Sequence, residues 1–389
     1  MTTPLTPQEI QTQIAPLFSR HNPKGIYLAN HSLGRPLDAT QDRINEYLNH
    51  WYEDLDDAWT PWLATLETYH SKVKSLLRIP ESGSVVLKTS AGLALRAVLN
   101  CFSDKTLTIV TSSQEFDSID FILRTYESKN LAQVTYVEPE IPNPVPLFNA
   151  DRFIAEITSE TDLVILSVVN FTTGQLFPNL DQVIDHAHKN NALVVLDTYH
   201  SFGVIDHPWP NADFAIGGSY KYVHGGPGSC WLAINNQENL QTLDTGWFAK
   251  KELFGYERNA DRATDHRAWW ESTPPVIQAY QALAGLEYLE NFTVEKLRAT
   301  NLARQAEMRD IFRQHNIPIY EPKDPHHFGA FSLLPAENHK EIVTFLKDQN
   351  IRVDSRNGFV RFGPHPLNIT EEFQAVAETL RESGLILTV

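Results

Sequence analysis

Between residues 85 and 235 short apolar runs alternate with amphipathic stretches. Val85 to Lys88, Thr106 to Thr111, Val134 to Val137, Leu163 to Val169, Leu193 to Asp197 and Asp213 to Ile216 read as strands. Leu93 to Phe102, Ile119 to Tyr126 and Asp181 to Asn190 carry helical spacing between them. This regular alternation predicts an α/β fold with a mainly parallel sheet and crossover helices. Cys230 to Ile234, after Gly225-Gly226-Pro227-Gly228, reads as a returning antiparallel strand. In such sheets ligands bind outside the carboxyl ends of the strands. Ser90, Phe116, Asn170, Asp197 and Lys221 all stand just past expected strand ends, so they share one address.

Outside this block the chain of 389 residues has room for a second, smaller unit. We expect an N-terminal arm at 1–50 packing with the small domain, a large domain at 51–285, and a small α+β domain at 286–389. A Pro-rich linker runs from Pro139 to Pro146, and Trp269 to Pro275 is expected to open a long helix, broken near Asn291, that reaches His315. Net charge is −16, which argues against a nucleic-acid footprint. Two cysteines, Cys101 and Cys230, fit a reducing compartment, and the first residues lack a basic and apolar leader. No apolar run reaches the length of a membrane span. A cytoplasmic location with no membrane partner is the expectation, and no residue set here points to a metal.

The chemistry centres on two residues twenty-four positions apart, Asp197 and Lys221. The first is a carboxylate ending a buried strand. The second follows a short strand on a loop, within Ser219-Tyr220-Lys221-Tyr222. A carboxylate can keep a pyridinium nitrogen protonated, and a lysine amine can form a Schiff base with an aldehyde. Together they suit pyridoxal 5'-phosphate. Strand, then Thr89-Ser90-Ala91-Gly92, then a helix start is a physical phosphate site, because free N–H groups and the positive end of the helix dipole meet the anion. Ser90 also serves as an ordinary N-cap.

Further motifs occur in a fixed order. They are Tyr27-Leu28 with Ser32-Leu33-Gly34, Asp197 with His200-Ser201, Ser219-Tyr220-Lys221-Tyr222, Thr245-Gly246-Trp247-Phe248, Ser272-Thr273-Pro274-Pro275, and Val360-Arg361 with Pro364, Pro366 and Leu367. The set resembles the kynureninase family, within the fold-type-I pyridoxal-phosphate enzymes related to class V aminotransferases. The resemblance implies a PLP-dependent transferase-like fold with a mainly parallel seven-stranded sheet. It implies hydrolysis of the β–γ carbon–carbon bond of L-kynurenine or a related aryl-keto amino acid, giving an anthranilate-type acid and L-alanine in tryptophan catabolism.

Carried over by residue, the resemblance gives Lys221 the cofactor linkage and proton transfer, Asp197 the pyridinium nitrogen, and Phe116 the ring face. Ser90, the N–H of Ala91, and the Tyr220 hydroxyl hold the phosphate. His200 lies near the cofactor phenolate. Tyr220 also delivers a proton to the substrate β-carbon. Trp247 and Thr273 reach the phosphate or substrate edge of a neighbouring subunit, which implies a homodimer with sites at the interface. Arg361 clamps the substrate carboxylate, its planar fork matching two parallel hydrogen bonds. Ser32 and His31 stand on the substrate side. Another class V reaction, an aminotransferase or a β-eliminating lyase on a different amino acid, stays open, as does a non-catalytic binding protein on the same fold. A desulfurase needs a mobile cysteine near the small domain, and no cysteine follows residue 230.

Overall fold

The computed structural model describes all residues except 1, 22, 141–143, 207–210, 236–239 and 387–389, so part of the Pro-rich linker lies outside the described residues. The strands are β1 (Ile26–Tyr27), β2 (Ser84–Lys88), β3 (Leu107–Ser112), β4 (Ala132–Val137), β5 (Leu163–Ser167), β6 (Leu193–Asp197), β7 (Phe214–Gly218) and β8 (Cys230–Ile234). In the C-terminal part they are β9 (Ser332–Pro335), β10 (Ile351–Arg352), β11 (Asp354–Arg356) and β12 (Phe359–Phe362).

Seven strands form the central sheet in the order β2-β8-β7-β6-β5-β3-β4. The pairs β4–β3, β3–β5, β5–β6 and β6–β7 are parallel, while β8 is antiparallel to both β7 and β2. The expected mainly parallel seven-stranded sheet with one returning strand is what forms. Its middle strands are buried on both faces. Ile165 and Val195 pack into the apolar cluster on one side, while Val164, Leu166, Val194 and Leu196 pack into the other. Continuous β-branched and leucine runs are the sequence form of strands covered by helices on both sides.

A smaller antiparallel sheet, β11-β12-β9, forms the C-terminal part with the helices His339–Asp348 and Thr370–Glu382. The N-terminal arm joins it: β1 pairs in parallel with β10, and Ala29 bridges to Gly363. The helix Asp38–Asp54 lies elsewhere, tied by Arg43 to Glu287 at 2.6 Å on the helix Val276–Phe292. A boundary at 285 falls inside that helix. We place the division instead at Thr293, where φ is +57° and the helix Val294–Gln314 begins. The long helix also starts later than the spacing predicts. His266–Trp269 is a short 3-10 turn and the α-helix begins at Val276. Pro274 and Pro275 explain this, since proline disfavours helical geometry in the residue before it and lacks the N–H an interior turn needs.

Candidate active site

At the carboxyl ends of the parallel strands lies a cavity of about 480 Å³. Ser90, Ala91, Phe116, Asp197, His200, Tyr220 and Lys221 all line it. Each is expected from sequence, and the topology brings them together because β2, β3, β6 and β7 all end on the same edge.

Ser90 caps the helix Ala91–Leu99, its hydroxyl accepting from the Leu93 N–H at 3.1 Å. Ala91 and Gly92, in the first helical turn, line the cavity. First-turn N–H groups have no acceptor within their own helix, so this wall favours an anion. Arg96, one turn further along, lines the same wall and is exposed. Sequence reading missed it, since a lone arginine on a helix is usually a solvated side chain.

Asp197 ends β6. Its Oδ1 accepts from the Tyr199 N–H at 2.8 Å, and its Oδ2 makes no hydrogen bond among the described residues. Burial raises its proton affinity; the Tyr199 N–H and the Lys221 charge oppose this. The Lys221 amine is buried 4.9 Å from the Tyr199 ring centroid and 5.8 Å from that of Phe116. Its one hydrogen bond is to His200 Nε2 at 2.5 Å, and it makes no ion pair among the described residues. Burial pushes this amine down to about 7, against the pull of the Asp197 carboxylate. His200 falls well below its ordinary value through burial and the Lys221 charge, and its Nδ1 is buried without a partner.

Two glycines make this packing possible. A Cβ on Gly34 would sit 2.0 Å from the Lys221 carbonyl oxygen, and the Gly34 N–H donates to the Tyr220 carbonyl at 2.7 Å. The Ser32-Leu33-Gly34 motif therefore backs the lysine loop. A Cβ on Gly218 would sit 2.2 Å from the Tyr199 hydroxyl. The Tyr199 and Tyr220 rings lie 4.8 Å apart, and burial raises the Tyr220 phenol so that it stays protonated near neutrality.

A buried unpaired amine, a carboxylate oxygen without a partner, an aromatic wall and a helix N-terminus around one slot fit pyridoxal phosphate. Lys221 would take its carbonyl, Asp197 its ring nitrogen, Phe116 its ring face, and the Ser90–Gly92 turn its phosphate.

Other expected residues lie elsewhere. Asn170 is absorbed in its own turn, its Oδ1 accepting from the N–H groups of Thr172 and Thr173 at 2.9 Å. Trp247 donates from Nε1 to the Thr273 hydroxyl at 3.2 Å, and neither residue lines the cavity of its own chain. Arg361 and His31 are buried beyond His200, around the Phe331 ring. Arg361 is bound in a fork to Asp354, at 2.8 Å through Nε and 2.5 Å through Nη2, and its Nη1 donates to the Phe171 carbonyl. His31 Nε2 lies 2.8 Å from the same carboxylate. Burial alone would push Asp354 upward, but His31 and Arg361 hold it well below the usual carboxylate range. Ser32 is half-buried, outside the cavity lining.

Among the described residues one group has metal-ligand composition, Glu67, His70 and His266, with ligand atoms within 4.8 Å. His70 Nε2 accepts from the Leu87 N–H at 3.1 Å, so Nδ1 carries the proton. His266 Nε2 lies 3.1 Å and His70 Nδ1 4.0 Å from a Glu67 carboxylate oxygen, the spacing of an ion-pair cluster.

The sequence model of the family described as aminotransferase class-V matches residues 26–388. The chain belongs to that family. Among curated relatives of this class V chain, the kynureninase of Shouchella clausii (strain KSM-K16) is 25% identical over 388 residues, covering 93% of this chain and 88% of the relative. The kynureninase of Pseudomonas fluorescens is 25% identical over 401 residues, covering 97% and 94%. The resemblance to kynureninases thus extends over nearly the whole chain. Among solved structures, the apo cysteine desulfurase of Thermococcus onnurineus NA1 superposes with a TM-score of 0.81 at 16% identity, covering 98% of this chain and 99% of that one. A C-DES variant with glycine covalently linked to its PLP cofactor gives 0.82 at 15% identity, covering 95% and 99%. This class V chain is a pyridoxal-phosphate enzyme of fold type I. No helix among the described residues is long and apolar enough to cross a membrane.

Proposed function

We propose that the chain is a kynureninase-like hydrolase. It cleaves the β–γ carbon–carbon bond of L-kynurenine or a related aryl-keto amino acid, releasing an anthranilate-type acid and L-alanine. The observation that carries this reading is the buried Lys221 amine, unpaired by any carboxylate among the described residues, in one cavity with Asp197, Phe116 and the Ser90 turn. The full-length likeness to kynureninases supports the choice of reaction.

When bound, the cofactor supplies a carbonyl for the substrate amine and an electron sink for the bonds that break. Lys221 Nζ takes the proton from the substrate α-carbon; an amine poised near neutrality suits that exchange. Asp197 Oδ2 holds the proton on the ring nitrogen. Water adds to the substrate γ-carbonyl and supplies the oxygen of the released acid, and Tyr220, its phenol kept protonated, gives its proton to the departing β-carbon. Arg361 receives the substrate carboxylate by exchanging Asp354 for it. Trp247 and Thr273 serve the site of a second copy. Trp51, Tyr52, Leu55, Phe254 and Tyr256 lie exposed, and an open groove runs between Trp51, Leu55 and Thr273, as expected of a face that a second copy covers. A cytoplasmic homodimer is the corresponding assembly.

A desulfurase reading has less to rest on. Cys230 is buried with its thiol pushed up to about 11, and Cys101 is pushed up to about 12. Burial keeps both protonated, so neither is an activated nucleophile. The test is protein loaded with pyridoxal phosphate and mixed with L-kynurenine. Anthranilate fluorescence with equimolar alanine is expected. Alanine release from other aryl-keto amino acids but no anthranilate would reject kynurenine itself, and no release from any would reject the reaction.

A further inference from the structure

Glu115 stands immediately before Phe116 and is fully enclosed at the end of β3. Its Oε1 accepts from the Ser112 hydroxyl at 2.6 Å and the Ser167 N–H at 3.2 Å, while its Oε2 accepts from the Ser167 hydroxyl. Ser167 ends β5 and is the register partner of Asp197 on β6. Ser167 also lines the cavity. A second buried carboxyl thus sits one strand from the carboxylate that addresses the ring nitrogen. No lysine, arginine or histidine pairs with Glu115 among the described residues; the charged and titratable groups that line the cavity are Arg96, Asp197, Tyr199, His200, Tyr220, Lys221 and Cys230. Three donors for two oxygens make Glu115 an acceptor, yet it has no counter-ion.

We infer that Glu115 is a positioning residue for the reaction, a buried negative charge that acts on Asp197 through the Ser167 strand end and strengthens the hold on the ring-nitrogen proton. The inference rests on the pyridoxal-phosphate reading. Like charges in low dielectric disfavour ionisation of each other, and both favour a cation placed beside them. Burial, and secondarily the Asp197 charge, push Glu115 up to about 7, against its serine donors, so its charge develops near neutrality. Above that pH the ring-nitrogen proton is held by two carboxylates. Below it, Asp197 acts alone.

The test compares wild type, Glu115→Gln, Ser167→Ala and Asp197→Asn as full chains, with and without pyridoxal phosphate. Carbon-13 resonances of labelled glutamate follow Glu115 in the cofactor-free protein, with Glu115→Gln for assignment. Nitrogen-15 in the labelled cofactor ring follows its proton in the loaded protein. In cofactor-free Asp197→Asn the Glu115 titration is expected to move down by about one pH unit, because the Asp197 charge no longer opposes it. In loaded Glu115→Gln the ring-nitrogen titration is expected to move down by about one pH unit. In loaded Ser167→Ala, which keeps the carboxyl and loses one donor, a smaller move in the same direction is expected. An unchanged ring-nitrogen titration in folded, loaded Glu115→Gln overturns the inference and leaves Glu115 a packing residue. Wild type that binds no cofactor overturns the reading beneath it, and an unchanged Glu115 titration in cofactor-free Asp197→Asn still overturns the coupling of the two carboxyls.

Discussion

The cofactor end and the substrate end of the site differ in how their polar groups are satisfied. Among the described residues, at the cofactor end Lys221 has only His200, Asp197 Oδ2 has nothing, and His200 Nδ1 is orphaned. At the proposed substrate end Arg361, Asp354 and His31 close on one another, with every Arg361 nitrogen engaged and His31 Nδ1 alone of this trio's nitrogens without a partner among the described residues. Buried polar groups are normally paired, and an exception asks for a reason. One end is built around a missing partner. The other is a closed lock, and on the proposed role of Arg361 a substrate carboxylate opens it by competing with Asp354.

The largest effect comes from breaking the unsatisfied end. Burial holds Lys221 down at about 7, against the ordinary lysine value of 10.5. A lysine whose folded value is depressed contributes most stability above its unfolded value, and that contribution is lost as pH falls toward the folded one. Lys221→Met should therefore abolish turnover while stabilising the cofactor-free protein by on the order of 3–5 kcal/mol at pH 6, fading to nothing near pH 10.5. Thermal melts across that range check it. A variant equally or less stable at pH 6 would mean that the amine is not strained.

A smaller effect should follow from opening the lock. Asp354→Asn frees Arg361 from its competing carboxylate. We expect KM to fall by about tenfold and stability to fall by about 3 kcal/mol, since a buried guanidinium loses its counter-ion. Steady-state kinetics and denaturant melts measure the two. A KM that rises or stays level would remove Arg361 from substrate binding and make its pair with Asp354 structural.

The contrast also tracks what could be read in the sequence. Ser90, Phe116, Asp197 and Lys221 each follow an apolar run closely, and a parallel sheet delivers all such positions to one edge. His200 enters only through the resemblance, as part of the Asp197 and His200-Ser201 motif. Glu115 was not, because Ser113-Gln114-Glu115 looks like a solvated turn. Its burial comes from Ser167, 52 residues away. The Arg361 pairing depends on register instead: Asp354 and Arg361 are direct partners across β11 and β12, which a hairpin around Asn357-Gly358 could have signalled. The later helix start at Val276 was written in two consecutive prolines that the apolar spacing outweighed. Trp247 and Thr273 were recognised as motifs, but what they face depends on a second chain, and spacing within one chain carries no such information.

On the proposed reading the Lys221 amine is the group that captures the cofactor carbonyl. The direct measurement is borohydride reduction of the full chain after incubation with pyridoxal phosphate, followed by peptide mass mapping. A yellow protein that is bleached, with one pyridoxyl label on the peptide containing Lys221 and none there in Lys221→Met, is the predicted result. A colourless protein, or label spread over surface lysines and unchanged in Lys221→Met, would contradict the account.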